Sequence, residues 1–400
     1  MKNWIHIKAN NFIDFNPRLS IKKGTLATKI AMDKLQPFTK KIPDIEKAEF
    51  AGGTKFCNGD TIMARITPCL ENGKTAFVDV LEDGEVGFGS TEFIVLRAKN
   101  GISDPQFVYY LATSPAFRDV AIKSMVGSSG RQRVQQGVLD NLELIVPPLP
   151  EQKRIGGFLA LIDEKIALNN KINNNLYELL QLSFENDYLE KCQLNSDWET
   201  VTLDFATSRF GTGLNPRKNF VLGHGSNYYV TIKNMGNNRV YLDERCDKVD
   251  DEAIRKIQNR SDLQVGDLLF SGIGTIGRVY LIDKPVSNWN TSESVFNLRP
   301  NYQIVSSEFL FLLLLNRDMQ EYAVTLASGS VQKGIRMADL KRYKFILPSK
   351  DTMDSLTQLW KPIISKIKSN EDENDRLSAL RDTLLPKLMS GEIDVTDLDI

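Results

Sequence analysis

A long stretch of heptad-like spacing, residues 151–183, restricts what this chain can fold into more than any other feature. Prolines up to Pro150 end whatever element precedes it, and Glu151 and Gln152 suit a first helical turn. Apolar residues then recur at steps of three and four, with Asn169 as a polar interruption in the same register. This pattern predicts one helix, roughly 50 Å long at 1.5 Å per residue, that packs against another helix.

The partner helix is predicted from an internal duplication with an offset of 201 residues. Asn169 aligns with Asn370 in the second copy, and Pro147, before the first helix, aligns with Pro348. A period of this length is too long for a solenoid repeat, so it indicates two similar domains, each followed by a long helix. The helix-pair interface is predicted at the positions that keep this register: Ile155, Phe158, Ile162, Asn169, Leu176, Leu179, Leu356, Leu359, Ile363, Asn370, Leu377 and Leu380.

These features predict an α+β fold of two similar mixed α/β domains joined by two long antiparallel helices, with an internal pseudo-twofold duplication. The helices are expected to be antiparallel because the first leaves one domain and the second must return to it. Pro362 is expected to kink the second helix or delay its onset near Thr352, and Pro386 to end it. The predicted boundaries are residues 1–146 and 191–348 for the domains, 147–190 and 349–390 for the helical spacers, and 391–400 for the tail.

The duplication also makes a prediction about the two asparagines of the apolar seam. Asn169 lies near the middle of the first helix, so the pseudo-twofold axis is expected to bring it against Asn370 within hydrogen-bond distance. A buried asparagine lowers stability unless it is paired, and it can fix the register of a helix pair. The alternative is that the helices splay at this point and water covers both amides.

Composition argues against several classes of enzyme. Only two histidines are present, and the four cysteines are scattered without a CxxC pair, so no metal or histidine-based catalytic site is predicted. The scattered cysteines fit a reducing compartment and no signal peptide is visible, so a cytoplasmic location is expected. The most apolar run, residues 309–315, is too short to cross a membrane. The net charge of −1 does not by itself indicate a nucleic-acid partner.

Two motifs suggest cofactor chemistry and are rejected on context. Residues 272–277 match GxGxxG, but a β-like segment, residues 278–282, follows where a dinucleotide site needs a helix. A glycine-rich hairpin that lets the backbone approach a neighbour is the preferred interpretation. Residues 214–217 partly match the Asn-Pro-Pro-aromatic motif of amino-methyltransferases but lack the second proline and the aromatic residue. No cofactor is therefore predicted in this chain.

Two polar loops, residues 128–133 and 328–333, occupy matching places in the two copies. Each combines small hydroxyl residues with glutamine and basic side chains, which suit phosphate contacts and the reading of guanine and adenine edges. The alternative is a polar turn that caps the following segment. The predicted DNA-binding residues are Arg131, Gln132, Arg133, Gln332, Lys333 and Arg336.

Three segments carry a resemblance to a known family: residues 147–155 (PPLPEQKRI), the hairpin at 266–277, and residues 384–393 (LLPKLMSGEI). With the duplicated plan, the chain resembles the specificity subunit of type I restriction-modification systems. The resemblance implies two target-recognition domains that each read half of a split site in double-stranded DNA. It implies two modification subunits that carry S-adenosylmethionine, and restriction subunits that use ATP and Mg²⁺. The chain departs from the family pattern at residues 348–352, which lack the PPLPEQ wording.

The resemblance further implies that the chain itself is not an enzyme, and that its helices set the spacer between half-sites and dock the modification subunits. One alternative is a methyltransferase or nuclease with a duplicated substrate domain, which would bind S-adenosylmethionine or metal without partners. Another alternative is a coiled-coil scaffold that binds only protein and leaves no footprint on DNA.

Overall fold

Two units repeat one plan of strands and helices, as the duplication predicts. The computed structural model describes residues 3–128, 130–328 and 333–395. One unit consists of Met1–Lys171 with Glu371–Ile400, and the other of Ile172–Asn370, so each long helix contributes residues to both units. No helix in the described ranges has an 18-residue stretch apolar enough to cross a membrane.

The first unit contains three sheets. Its terminal strands, Ile5–Lys8 and Glu143–Val146, pair antiparallel. The second sheet is antiparallel, in the order Ile13–Phe15, Phe93–Ala98, Thr61–Ala64 and Thr75–Phe77. The third has the order Glu46–Glu49, Leu26–Ile30, Gly87–Gly89 and Thr54–Phe56, with a parallel pair at its centre. The short helices are Ala9–Phe12, Met32–Lys34, Pro105–Thr113, Pro115–Lys123 and Gln136–Asp140.

The second unit repeats this order of sheets. Glu199–Thr202 pairs antiparallel with Lys344–Leu347. The four-stranded sheet has the order Thr207–Thr212, Val295–Pro300, Leu268–Ser271 and Val279–Leu281. Asp247–Val249, Asn227–Val230 and Trp289–Thr291 form a sheet with one parallel pair, and Met235–Gly236 pairs with Arg239–Val240. The short helices are Ile232–Asn234, Asp251–Ser261, Ser307–Leu315, Arg317–Thr325 and Met337–Leu340.

Helix caps explain where the paired short helices begin. The Asp104 carboxylate accepts a hydrogen bond from the Phe107 amide at 3.0 Å, with proline at the first helical position. Ser306 accepts from the Phe309 amide at 3.1 Å in the second unit. Each capped helix buries an apolar face in its own unit's core, so the same local signals produce the same packing twice.

The first long helix runs over Leu149–Ser183 and continues through Phe184–Leu189, wound as a π-helix, to Glu190–Leu194. Gln152, which is 1% exposed, fixes its start. Its side chain accepts from the Asp104 amide at 3.0 Å and donates to the carbonyls of Ile102 at 3.1 Å and Pro147 at 2.9 Å. These bonds give the PPLPEQ segment a physical role, since they tie the helix to its domain.

The second long helix spans Lys350–Met389 without interruption, so the expectations that Pro362 delays its onset and that Pro386 ends it are wrong. It begins before Thr352, passes through Pro362, and continues beyond Pro386. Its last turn is held because Leu388 and Met389 are 1% and 9% exposed in the core of the first unit. This burial offsets the roughly 3 kcal/mol that proline costs inside a helix.

Within each unit the two long helices run antiparallel. In the first unit, Asp163 contacts Arg381 at 2.6 Å and Asn169 contacts Asn374 at 2.9 Å. In the second unit, Asn173 contacts Asn370 at 2.7 Å and Ser183 accepts from the Trp360 indole at 2.8 Å. Residue numbers that rise along one helix therefore meet numbers that fall along the other.

The expected direct pair of Asn169 with Asn370 is wrong. Asn169 donates to Asn374, and to Glu373 at 2.8 Å, whereas Asn370 donates to Asn173. Asn173 and Asn374 are themselves separated by 201 residues, so the two bonds are one interaction repeated by the duplication. The observed register differs from the expected one by one helical turn. The sequence pattern defines which face of each helix is in contact but not the axial position of one helix along the other.

The structure places the predicted seam residues in three groups. Ile155, Ile162, Asn169, Leu356 and Asn370 are buried, and Phe158, Leu176, Ile363 and Leu377 are partly buried. Leu179, Leu359 and Leu380 are 49%, 47% and 47% exposed, so their placement in the seam is wrong. Their neighbours Leu180 and Trp360 are fully buried instead. A helix of 3.6 residues per turn drifts about 20° per heptad from a 3.5-residue repeat, which moves the contact to the next position.

Candidate nucleic-acid interface

The predicted loop of the first unit is fixed by backbone hydrogen bonds to the end of a central strand. The Thr67 amide donates to the Gln132 carbonyl at 3.0 Å, and the Val134 amide donates to the Arg65 carbonyl at 2.9 Å. Arg133 and Val126 exchange two backbone bonds of 2.9 and 3.1 Å. These bonds hold the described residues 126 and 132–134 at a fixed place beside the strand.

The second unit repeats this support. The Gly274 amide donates to the Lys333 carbonyl at 2.7 Å, and the Ile335 amide donates to the Gly272 carbonyl at 2.8 Å. Gly334 and Ser328 exchange bonds of 2.9 and 3.0 Å. The predicted residue Gln332 lies outside the described residues. Lys333 and Arg336 are exposed.

The GxGxxG segment now has a structural explanation. A Cβ on Gly272 would lie 2.5 Å from the Phe296 ring, and one on Gly277 would lie 2.0 Å from the Gln320 side-chain oxygen. Gly274 has a φ of +79°, a conformation that favours glycine. The three glycines thus let the hairpin pack against its own unit and support the loop at residues 333–335.

The predicted DNA-binding side chains of the first loop have different environments. Arg131 is exposed, and Gln132 is half-buried. Arg133 is bound to Glu92: its Nε lies 3.0 Å from both carboxylate oxygens and its Nη2 lies 2.6 Å from one of them. Hydrogen bonds from Arg133 lower the pKa of Glu92. Arg133 therefore holds the loop, whereas the Arg131 side chain is exposed and has no ion pair among the described residues.

Sequence reasoning missed the role of Glu92, although the duplication aligns it with Glu293. Position 334 is glycine where the first unit has Arg133, so Glu293 has a different partner. It accepts from the Tyr229 hydroxyl at 3.3 Å. The alignment could have identified a repeated acidic turn, but not the residue that each copy binds.

A buried charge cluster in the first unit also escaped the sequence analysis. Asp163 is 6% exposed and accepts from the Tyr110 hydroxyl and from Arg381, both at 2.6 Å. Lys40, which is 3% exposed, lies 5.2–5.7 Å from the ring centres of Phe77, Tyr109 and Tyr110. Desolvation lowers the pKa of Lys40 to about 8, against the opposing effect of Asp163. This cluster lies inside the unit and does not form part of the loop surface.

The described ranges hold no group of three or more His, Cys, Asp or Glu residues arranged to bind a metal ion. Cys57, Cys69, Cys192 and Cys246 are free thiols. Burial raises the pKa of the thiols of Cys57, Cys192 and Cys246. The described loop side chains Arg131, Gln132, Lys333 and Arg336 can offer hydrogen bonds and positive charge.

Comparison with known proteins gives a consistent family. The family described as "Type I restriction modification DNA specificity domain" matches residues 29–178 and 195–378, one match in each copy of the duplication. The HindI specificity subunit of Haemophilus influenzae is 25% identical over 409 aligned positions, covering 84% of this chain and 86% of that protein. The EcoAI specificity subunit of Escherichia coli is 39% identical over 116 residues, 29% of this chain and 19% of that protein.

A solved structure has the same fold. The S subunit of a type I restriction-modification system from M. genitalium superposes with a TM-score of 0.55 at 16% identity, covering 96% of each chain. Since the family match extends over both repeats and most of the sequence, this chain belongs to the family of type I restriction-modification DNA specificity proteins.

Proposed function

We propose that this chain is the DNA-recognition subunit of a type I restriction-modification complex, in which each unit reads one half of a bipartite site. The observation that supports this most directly is the repetition of one supported loop, at 126–134 and 328–335, in two units of a single chain. A repeated backbone with different side chains suits two half-sites of different sequence. The first long helix has 35 residues and is about 52 Å long, which exceeds the roughly 34 Å between successive major-groove faces.

The long helices are proposed to set the spacer and to dock two modification subunits. Leu161, Leu168 and Leu182 are 53%, 52% and 55% exposed on the first long helix. Leu359 and Leu380 are similarly exposed on the second. Apolar side chains in such a row are typical of a surface that a partner covers.

Catalysis is assigned to the partners in this proposal. The modification subunits would bind S-adenosylmethionine and methylate adenine, and restriction subunits would use ATP and Mg²⁺. This chain would bind no cofactor and would act in the cytoplasm, where those partners meet DNA. The purified chain alone should then neither methylate nor cut DNA. Turnover with S-adenosylmethionine in the absence of partners would instead favour the enzyme alternative.

The decisive experiment is genome-wide mapping of methyladenine in cells that carry the chain with its modification subunits. A split motif with a fixed spacer is expected. Replacing residues 1–146 with the equivalent domain of another family member should change one half of that motif only. A continuous motif, or a change in both halves, would refute the two-reader proposal. A DNA footprint by the assembled complex excludes the protein-only scaffold.

A further inference from the structure

The triplet Asn-Pro-Arg occurs once in each unit. It lies in the loop before the first of the two strands that pair in parallel. The first copy is Asn16–Arg18, before Leu26–Ile30, and the second is Asn215–Arg217, before Asn227–Val230. We name residues 16–25 and 215–226 the Asn-Pro-Arg loops. The equivalent strands differ by the duplication offset of 201 residues, so the loops occupy matching places in the fold.

Asn16 ties the first Asn-Pro-Arg loop to the helix that follows the predicted DNA-binding loop, residues 128–133. Its amide donates to the Val95 carbonyl at 2.8 Å, and its side-chain oxygen accepts from the Val95 amide at 3.0 Å. Its Nδ2 donates to the Gln136 side chain at 2.8 Å. Gln136 begins the helix three residues after Arg133, so the two loops lie side by side on this unit.

The second Asn-Pro-Arg loop is anchored at the matching acidic turn. The Tyr229 hydroxyl contacts both the Leu214 carbonyl at 2.9 Å and Glu293 at 3.3 Å. Glu293 is the counterpart of Glu92, which holds Arg133 in the first unit. Within the loop, the Phe220 amide donates to the Pro216 carbonyl at 3.1 Å. Both Asn-Pro-Arg loops are therefore built, supported turns beside the same element.

The Asn-Pro-Arg loops lie in unusually long stretches of sequence that contain no acidic residue. In the first half, the two longest stretches without Asp or Glu are 120–139 and 15–32; in the second half they are 205–242 and 322–338. The chain has 51 acidic residues among 400, about one in eight, so such gaps stand out. One stretch of each pair contains the predicted loop, and the other contains the Asn-Pro-Arg loop. A surface that meets a polyanion gains from the absence of carboxylates.

The bases of the Asn-Pro-Arg loops are exposed and available. Arg18, Lys22, Lys23, Arg217 and Lys218 are exposed, and across residues 3–128, 130–328 and 333–395 no carboxylate lies within ion-pair distance of them. Bases on neighbouring elements behave differently, since Lys29, Lys34 and Lys47 pair with Glu46, Asp44 and Glu85. The unneutralised positive charge is thus on the loop itself.

We propose that the Asn-Pro-Arg loops are a second DNA-contacting element in each unit, binding backbone phosphates beside the half-site. Arg18, Lys22 and Lys23 would serve the first unit, and Arg217 and Lys218 the second. This inference rests on the proposed function. Phosphate contacts set position and affinity but carry no direct sequence information, so these loops should affect binding strength and leave the recognised motif unchanged.

The test measures DNA binding by the full chain against salt concentration, using a duplex that carries the mapped motif. The variant R18Q/K22Q/K23Q should bind more weakly, and the slope of log K against log salt should fall by about 2.7, at about 0.9 per phosphate contact. R217Q/K218Q should lower it by about 1.8. K22R/K23R should retain the wild-type slope. The matched control K8Q/K153Q/K171Q removes the same charge from exposed sites of the first unit outside these loops, and its slope should change little.

Each outcome has a defined meaning. If the wild-type chain shows no preference for the mapped duplex, the proposed function fails. If it does show that preference but the Asn-Pro-Arg variants keep its slope, or the control loses as much, this inference alone is wrong. A changed methylation motif in R18Q/K22Q/K23Q would also overturn it, because the loop would then read bases. Thermal unfolding of each variant confirms that weaker binding does not result from an unfolded chain.

Discussion

Removing one partner of the buried ion pair in the first unit should strongly lower the stability of that unit. Replacing the whole pair with apolar residues should change its stability much less. Asp163, which is 6% exposed, bonds Arg381 and the Tyr110 hydroxyl in a largely buried site. The 201-residue offset places Ile364 and Leu180 of the second unit at the positions of Asp163 and Arg381, and the matching helix caps Asp104 and Ser306, 202 residues apart, place Leu312 at the position of Tyr110. These three residues are 5%, 0% and 3% exposed in an apolar core. The same site in the fold therefore holds a charged pair in the first unit and apolar side chains in the second.

The single change Asp163→Ile should destabilise the first unit by about 3–5 kcal/mol, the usual cost of removing one partner of a buried pair. Arg381 would retain only Asp382, whose side chain is 65% exposed. The Tyr110 hydroxyl would lose its acceptor, and burial without a partner costs about 1–3 kcal/mol. Lys40 would also lose the favourable field of Asp163.

The triple change Asp163→Ile, Arg381→Leu and Tyr110→Leu installs the residue types of the second unit. Replacing a buried pair with apolar residues is often neutral, or stabilising by about 1–4 kcal/mol. We therefore expect the triple variant to recover most of the stability that Asp163→Ile loses. The exposed pair of Lys29 with Glu46, at 39% and 45% exposure, gives a matched control. Glu46→Ala should change stability by less than about 1 kcal/mol.

Urea unfolding with peptide-resolved hydrogen exchange measures each unit separately, since a chain of two units need not unfold in one step. Helix Pro105–Thr113 reports the first unit, and helix Ser307–Leu315 serves as an internal control in every variant. The reasoning is refuted if Asp163→Ile leaves the first unit within about 1 kcal/mol of wild type. It is refuted equally if the triple variant is as unstable as the single one.

Three further expectations follow from the same structure. Lys40 has a folded pKa of about 8 against an ordinary 10.5, so between these pH values the unfolded state binds one more proton than the folded state and stability rises with pH. The stability of the wild type relative to Lys40→Met should therefore rise by about 3 kcal/mol across that window, measured by urea unfolding. Asn370→Ala should lower the free energy of unfolding by about 1–3 kcal/mol because it leaves the buried side-chain oxygen of Asn173 without its donor. Glu92→Gln should speed hydrogen exchange at residues 126–134 but not at 328–335, because only the first loop depends on Arg133.

Local sequence signals predicted the elements of this fold well. The duplication and the two long helices depend on self-comparison or on simple periodicity. Self-comparison also placed the two polar loops in equivalent positions, and the structure supports both loops in the same way. These features could be predicted because each leaves a short, repeated pattern in the chain.

Axial height and long-range partners left no such pattern. A shift of one turn moves a helix by about 5.4 Å yet keeps the same residues on the same face, so Asn169 could not be assigned to Asn374 by periodicity. The binding of Glu92 to Arg133 joins residues 41 positions apart, and no local rule links them.

Because the two units share one backbone plan, a comparison of them separates the backbone contacts that support the loops from the side chains proposed to give specificity. Both copies keep the carbonyl contacts of Gln132 and Lys333, which do not depend on the side chain, and both keep acid-free stretches beside them. The side chains on this common support differ, as Arg133 in one copy is Gly334 in the other. A protein that reads two different half-sites needs this division, since its backbone must present a loop at a fixed place while its side chains change. Under the proposed function, duplication supplies the fixed place twice, and divergence at the loop positions would give the two halves separate readings.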